Sequence, residues 1–315
     1  MANFNVSSCL ERLRPYIIRT PLVEVEHLSA QTGKRIFLKI ESLQKTRAFK
    51  FRGAMNFLLT MSGKEAESKV ITASSGSHGL GLALSGKILG LECIVVMPKN
   101  ASLVKQERAK GYGATVLLHG SCYDEAREQA ELLSAQEGYV YVPSFNHPRI
   151  IEGQATILAE ILADRPETDV VFAPVGGGGL VAGLLLAKEQ LCSKVAIIGV
   201  EPNGAACMQA SVDAGILSTL SSMHTIADGV AVRTPGELTF AIVHKHKPAL
   251  HQVSDEDIRC AQKDLLSEMR VVVETAGAVA VAGMRTYDLP SSVKNIVCIV
   301  SGSNVDTAEI AQLLI

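Results

Sequence analysis

Short β-branched runs alternate along the whole chain with longer helical stretches, and this rhythm restricts the fold more than any other feature. The runs are RIFLKIE from Arg35, KVITASS from Lys69, CIVVMP from Cys93, ATVLLHG from Ala114, YVYVPSF from Tyr139, VVFAPVGGGG from Val170, VAIIGVEP from Val195 and IVCIVSGSN from Ile296. Strands alternating with helices predict an α/β protein built on mainly parallel sheets. Several runs are apolar on both faces, as strands covered by helices on two sides must be. With 315 residues, 47% of them hydrophobic, the chain can bury one large core or two modest ones. No repeat, low-complexity tract or linker divides it, so two domains would be interleaved, the chain crossing between them more than once.

Charge removes several function classes. The formal net charge is -2 and the charged residues are scattered, which offers nucleic acid no basic stripe. No apolar run approaches the length of a bilayer span. The N-terminus has no basic start followed by an apolar core and a small-residue cleavage site, so a cytoplasmic protein with no membrane partner is expected. The seven cysteines include no C-x-x-C pair and suggest neither a disulfide framework nor a zinc site.

Three strands run into glycine- or serine-rich turns: Ser74-Ser75-Gly76-Ser77-His78-Gly79, Gly176 through Gly179, and Ser301-Gly302-Ser303-Asn304. In open α/β sheets ligands bind at the carboxyl ends of strands, where the following helices present free N–H groups and positive dipole ends. The tetraglycine turn is the strongest local signal. It links VVFAPV to the apolar helix LVAGLLLAKEQ and lets bare backbone approach a phosphate. The same stretch also satisfies a dinucleotide pattern, Gly177-x-Gly179-x-x-Ala182 with Glu201 as the ribose acid, so an NAD-dependent dehydrogenase is the rival enzyme. That reading leaves the turns near Ser75 and Ser301 without a task. The segment from Thr46 to Ala54 becomes an amphipathic helix after an extended run, and on local pattern alone Lys50 and Arg52 read as solvated residues at a helix start. A serine turn such as Ser74–Ser77 reads equally as an ordinary helix cap.

Taken together, these motifs resemble those of the fold-type II pyridoxal-phosphate enzymes, the tryptophan synthase β-like group that contains threonine dehydratase, serine dehydratase and serine racemase. Ala48-Phe49-Lys50-Phe51-Arg52-Gly53-Ala54 resembles S-F-K-x-R-G-A, and Ser74 to Gly79 resembles the S-S-G-N-H-G substrate loop. Gly176 to Leu180 is similar to the phosphate cup, Ser301 to Asn304 to the serine turn at the ring nitrogen, and Thr225-Ile226-Ala227-Asp228-Gly229 to a T-I-A-D-G segment of the group. The motifs occur in family order over essentially the whole chain.

The resemblance implies two open, mainly parallel sheets with flanking helices. A large cofactor-binding domain would comprise residues 1–59 and 147–315, and a small domain residues 60–146. Lys50 would carry pyridoxal 5'-phosphate as a Schiff base and act as base, with Ser75 as the second catalytic group. Phe49 would flank the ring; Gly176, Gly177, Gly178, Gly179 and Leu180 would hold the phosphate; Ser301 would face the ring nitrogen; and Ser77, Gly229 and Glu274 would complete the surroundings. Ser74, Ser75, Gly76, Ser77 and His78 would form the substrate loop. The implied reaction is conversion of L-threonine, L-serine or a related 3-hydroxy amino acid to a 2-oxo acid and ammonia, by a homodimer acting on a small amino acid. Serine racemase, a hydroxyaspartate or phenylserine dehydratase, and a catalytically silent ligand-binding relative are the alternatives.

Two positions depart from the family pattern. Ser77 stands where the group usually has Asn, which shortens the reach toward the ring's phenolic oxygen. Racemase-type relatives carry a divalent-cation site after the strand that ends here in Glu201-Pro202, and Cys207 replaces its expected carboxylate. A hard cation loses a charged ligand by that change. Glu201 and the Ala205 carbonyl are the remaining candidate ligands. His244 and His246, in HKHKP, read as a solvated helix end. The chain ends soon after the Ser301 turn, so no regulatory domain and no feedback inhibition by isoleucine is expected.

Overall fold

The structure is a computed structural model that describes residues 4–74 and 76–313. Ten strands are found among the described residues: β1 (Leu22–Glu24), β2 (Arg35–Ile40), β3 (Val70–Ala73), β4 (Cys93–Met97), β5 (Thr115–Leu118), β6 (Val140–Tyr141), β7 (Val170–Pro174), β8 (Ala196–Pro202), β9 (Ala249–Val253) and β10 (Asn295–Val300). They form a six-stranded sheet in the order β1-β2-β10-β7-β8-β9 and a four-stranded sheet in the order β5-β4-β3-β6. Every pairing is parallel except that of β1 with β2. The sequence rhythm and the resemblance both predict this architecture.

The two-sided apolar runs are the sheet interiors. β7 and β3 are buried at every position, because helices lie on both faces. One face of the large sheet packs Phe172, Val200 and Cys298 against the helix Thr275–Thr286. The other packs Phe37, Val171 and Ile299 against the helices Pro148–Asp164 and Gly179–Gln190. The small sheet is covered by the helix Ser77–Leu89 on one side, through Leu80 and Leu82, and by Tyr123–Glu137 on the other, through Ala126 and Ala130. No helix among the described residues is long and apolar enough to cross a membrane.

Topology places the site. After β2 the chain builds the four strands of the small sheet and then returns, so that β10, late in sequence, pairs with β2 from Asn295↔Arg35 to Val300↔Ile40. The segments leaving β2 and β10 therefore emerge side by side, bringing the Lys50 region next to the Ser301 turn. The YVYV run contributes only the two residues of β6. The edge strands β1 and β9 are additions to the strand pattern read from sequence.

Candidate active site

Residues 46–50 dock on the turn after β10. Ala48 and Gly302 form an isolated antiparallel bridge. The Phe49 amide donates to the Ser301 carbonyl at 3.1 Å, and the Ser303 amide to the Arg47 carbonyl at 2.8 Å. Asn304 Nδ2 donates both to the Thr46 carbonyl at 3.0 Å and to Ser77 Oγ at 2.7 Å, joining a third motif to the other two. Lys50 opens the helix Lys50–Leu59. Its Nζ donates to the Ser144 carbonyl at 3.0 Å and lies 5.4 Å from the Phe49 ring centroid and 5.9 Å from that of Phe145. Burial lowers the Lys50 pKa to about 8 against a smaller opposing pull from Glu274, so the amine is neutral far more often than a solvated lysine.

The helix is not the amphipathic one that the sequence pattern predicts, since every residue from Phe51 to Leu58 is buried. Arg52 is fully buried and ion-paired, so it is not a solvated helix-start residue.

The tetraglycine turn leaves β7 and enters the helix Gly179–Gln190, with Gly178 at a φ of +89° that L side chains rarely adopt. The turn's carbonyls point into protein: Gly177 O accepts from Thr239 Oγ1 at 2.6 Å and from the Gly236 amide at 3.3 Å. Helix geometry leaves the first amides, those of Gly179, Leu180 and Val181, without an intrahelical acceptor. A Cβ on Gly177 would lie 2.5 Å from three atoms of the Phe145 ring, and one on Gly179 would lie 2.9 Å from Phe145 Cβ. Phe145 thus forms one wall shared by the glycine turn and the Lys50 amine.

Ser301, Glu274 and Gly229 gather beside the segment that carries Lys50. Ser301 is buried, and its hydroxyl donates to the Ala276 carbonyl at 3.2 Å. Glu274 packs against Gly302, and its carboxyl is pushed up to about 7 by burial and then by Asp228. Gly229 packs against Ala276 and Glu274. Lys105 Nζ reaches Asp228 at 3.1 Å, which ties a helix flanking the small sheet to the turn carrying Gly229. In the serine loop the Gly76 amide donates to Ser74 Oγ at 3.2 Å, and Ser77 begins the helix Ser77–Leu89. Ser75 lies outside the described residues. His78 is buried with Nε2 bonded to the Val142 carbonyl at 3.1 Å, and burial, reinforced by Lys50, lowers its pKa to about 3.

The unpartnered polar groups fit a polar ligand, and the free amides at the glycine turn fit an anionic one. Thr46 Oγ1, His78 Nδ1 and Asn304 Oδ1 are three of the five buried side-chain polar atoms without a partner among the described residues, and all three belong to the segments that converge here. Buried polar atoms are seldom left so, and their clustering marks a site made for a polar ligand.

Glu201 does different work from either sequence expectation. It is fully buried at the end of β8, and its two oxygens accept from the Met208 and Gln209 amides at 2.9 and 2.8 Å, capping the helix Cys207–Ala214. A ribose acid would need those oxygens free. Ala205 closes the preceding 3-10 turn, and among the described residues no group of three or more His, Cys, Asp or Glu side chains is arranged to hold a metal. His244 is exposed, whereas His246 lies 3.4 Å from Glu189 at the end of the helix Glu237–His246.

Sequence reasoning missed Ser144 and Phe145, which the run YVYVPSF assigns to a strand. Their position just past the end of a parallel strand was the available signal. It also missed the role of Asn304 as the link between two turns.

A partly neutral lysine beside a glycine turn and a serine at the end of a parallel strand is the arrangement expected of a site of the vitamin B6 type. The family profile described as "Pyridoxal-phosphate dependent enzyme" matches residues 13–302, and the chain belongs to that family. It is 38% identical over 310 residues to an L-threonine ammonia-lyase of Thermotoga maritima, covering 98% of this chain and 77% of that one. It spans a smaller share, 56%, of the length of several biosynthetic L-threonine dehydratases. Among solved structures, threonine deaminase isoform 2 of Solanum lycopersicum superposes with a TM-score of 0.92 at 37% identity, over 98% of this chain and 87% of that one. Maize serine racemase superposes with a TM-score of 0.92 at 32% identity, over 98% and 95%.

Proposed function

We propose that this chain is a pyridoxal-phosphate-dependent ammonia-lyase that converts L-threonine or L-serine to a 2-oxo acid and ammonia. The observation that carries the reading is the Lys50 amine, held by the Ser144 carbonyl against the wall it shares with the glycine turn. In this reading Lys50, Phe49, Ser77, Gly176 to Leu180, Gly229, Glu274 and Ser301 hold the cofactor. When bound, pyridoxal phosphate supplies an aldehyde that captures amines and a conjugated ring that accepts the electron pair released at the substrate Cα.

The chain's own groups do the rest. The free amides of Gly179 and Leu180, at the positive end of their helix, bind the phosphate dianion. Ser301 offers a neutral hydroxyl where other vitamin B6 sites offer a carboxylate, so this site favours eliminations in which a β leaving group takes up the electrons promptly. Lys50 Nζ, neutral far more often than a solvated lysine because burial lowers its pKa to about 8, removes the Cα proton. The amides at the start of the helix Ser77–Leu89, with the hydroxyls of Ser74 and Ser77, receive the substrate carboxylate, and Ser75 is the proposed second catalytic group. Residues 60–146 act as the smaller domain, closing over the substrate held by the larger one. The working form is a cytoplasmic homodimer.

A second reading, serine racemase, has the likeness to the maize enzyme in its favour. A panel of hydroxy-amino acids assayed for 2-oxo acid release, with chiral analysis of residual serine, separates the two. Lyase activity gives 2-oxo acid from threonine or serine that is lost in Lys50→Ala. Substantial release by the alanine variant overturns Lys50 as the base, and accumulation of D-serine without 2-oxo acid makes the protein a racemase.

A further inference from the structure

Behind the Lys50 helix lies a cluster of four charges with almost no solvent exposure: Arg52, Lys39 and Glu41 at 0% and Glu160 at 1%. Arg52 uses all five of its N–H donors. Nε and Nη2 reach Glu41 at 2.8 Å each, Nη1 and Nη2 reach Glu160 at 2.8 Å each, and Nη1 also reaches Thr156 Oγ1 at 3.2 Å. Lys39 Nζ completes the set, donating to Glu160 at 2.6 Å and to the Thr20 carbonyl at 2.7 Å. Two cations face two anions, so the cluster is neutral.

Burying such a set costs desolvation that the pairing does little more than offset, and well-packed apolar residues of similar volume often give equal or greater stability. What ions supply and oil does not is orientation, since a guanidinium fork accepts its partners in one plane. The elements held here are the ones that set the position of Lys50. Arg52 is two residues further along the same helix, and residues at that spacing point to different sides, so Arg52 anchors the back while Lys50 faces the site. Glu160 and Thr156 belong to the helix Pro148–Asp164, which begins just after Ser144 and Phe145, the acceptor and the wall of the Lys50 amine. The two helices touch backbone to backbone: a Cβ on Gly153 would lie 2.6 Å from Gly53 Cα. Lys39 and Glu41 tie both helices to β2 and the turn after it.

We infer that Arg52 and Glu160, with Lys39 and Glu41, are positioning residues that fix the Lys50 amine against the Ser144 carbonyl and keep it out of water. The inference rests on Lys50 being the reactive amine of the proposed function. It requires the network to act on Lys50 beyond its effect on stability. The titratable groups facing Lys50 are Glu274, at the start of the helix Thr275–Thr286, and His78, in the helix Ser77–Leu89; the test leaves both intact.

The deciding variant is the charge-balanced pair Lys39→Met with Glu160→Gln, which leaves Arg52 matched by Glu41 and no carboxylate unpaired. Arg52→Lys, which keeps the charge and loses the fork, supports it. Ile161→Val, a fully buried core residue on the same helix, is the control that lowers stability without touching the charges. The readout is the pH midpoint for acylation of Lys50 in the cofactor-free protein, followed by mass spectrometry of its peptide. The parent and the control titrate near 8. The pair raises the midpoint by about one unit or more, leaving about tenfold less neutral amine at neutral pH. In the holoenzyme its kcat falls by a similar factor while KM stays within about twofold. A parent midpoint in the ordinary lysine range refutes the assignment of Lys50 itself. A parent midpoint near 8 that the pair leaves unchanged, with only the melting temperature lowered, refutes positioning alone.

Discussion

Replacing Gly177 with alanine is the sharpest local perturbation of the glycine turn. The new Cβ would sit 2.5 Å from Cδ1, Cδ2 and Cε1 of Phe145, well inside van der Waals contact. Gly179 approaches the same residue, its missing Cβ position lying 3.1 Å from Phe145 Cα, so the turn and the Phe145 backbone are already in close contact. The ring must therefore swing, and it is the ring that stands 5.9 Å from Lys50 Nζ. Gly177 is not among the glycines with a positive φ, so no backbone strain is added. Overpacking of this size costs about 1–3 kcal/mol. If that cost falls on the cofactor-bound state, affinity drops by about 5- to 150-fold. Titration of the cofactor-free protein with pyridoxal phosphate, followed by the absorbance of the bound cofactor, measures it. Phe145→Leu in the Gly177→Ala background removes the clash, so the two substitutions are non-additive and the double variant recovers part of the affinity. Parental affinity in Gly177→Ala, or strict additivity in the cycle, refutes the idea that the ring links turn and lysine.

Further predictions concern titrating groups. Burial raises Glu201 to about 7, so the folded protein keeps a proton that the unfolded chain releases near 4.5. Its contribution to stability is full below the lower value and is lost as pH rises through about 7, a window worth at most about 3 kcal/mol. Melting temperatures of the parent and Glu201→Gln across that range should show a fall in the parent that is absent from the variant; equal falls mean that Glu201 is ionised throughout. With burial and Lys50 holding His78 near 3, its ring stays neutral under working conditions. His78→Gln lowers stability through the weakened contact with Val142 but leaves the acid limb of kcat/KM in place, and a displaced limb gives His78 a titrating role.

Much of this architecture is legible in the sequence because buried parallel strands leave unbroken apolar runs. VVFAPV and IVCIVS could be read directly, and the turns that follow them could be placed at one edge of a sheet. The edge strands were not legible for the opposite reason. β1 has three residues, one of them Glu24, and β9 carries His251 and Gln252, so neither shows an apolar run. Arg52 was unreadable locally, since its partners lie 11 residues before it and 108 after it and only the crossing of two helices brings them together. Glu201 shows how a pattern misleads, because its spacing suits a ribose acid while the fold uses both oxygens as a helix cap. Phe145 has no mark of its own in the sequence, and its role appears only when the glycine turn is seen pressed against it.

Borohydride reduction of the holoenzyme, followed by peptide mapping, tests the central assignment most directly. The predicted result is a pyridoxyl group on Lys50 and on no other lysine. Stoichiometric label on another lysine, or reduced holoenzyme with Lys50 unmodified, would contradict it.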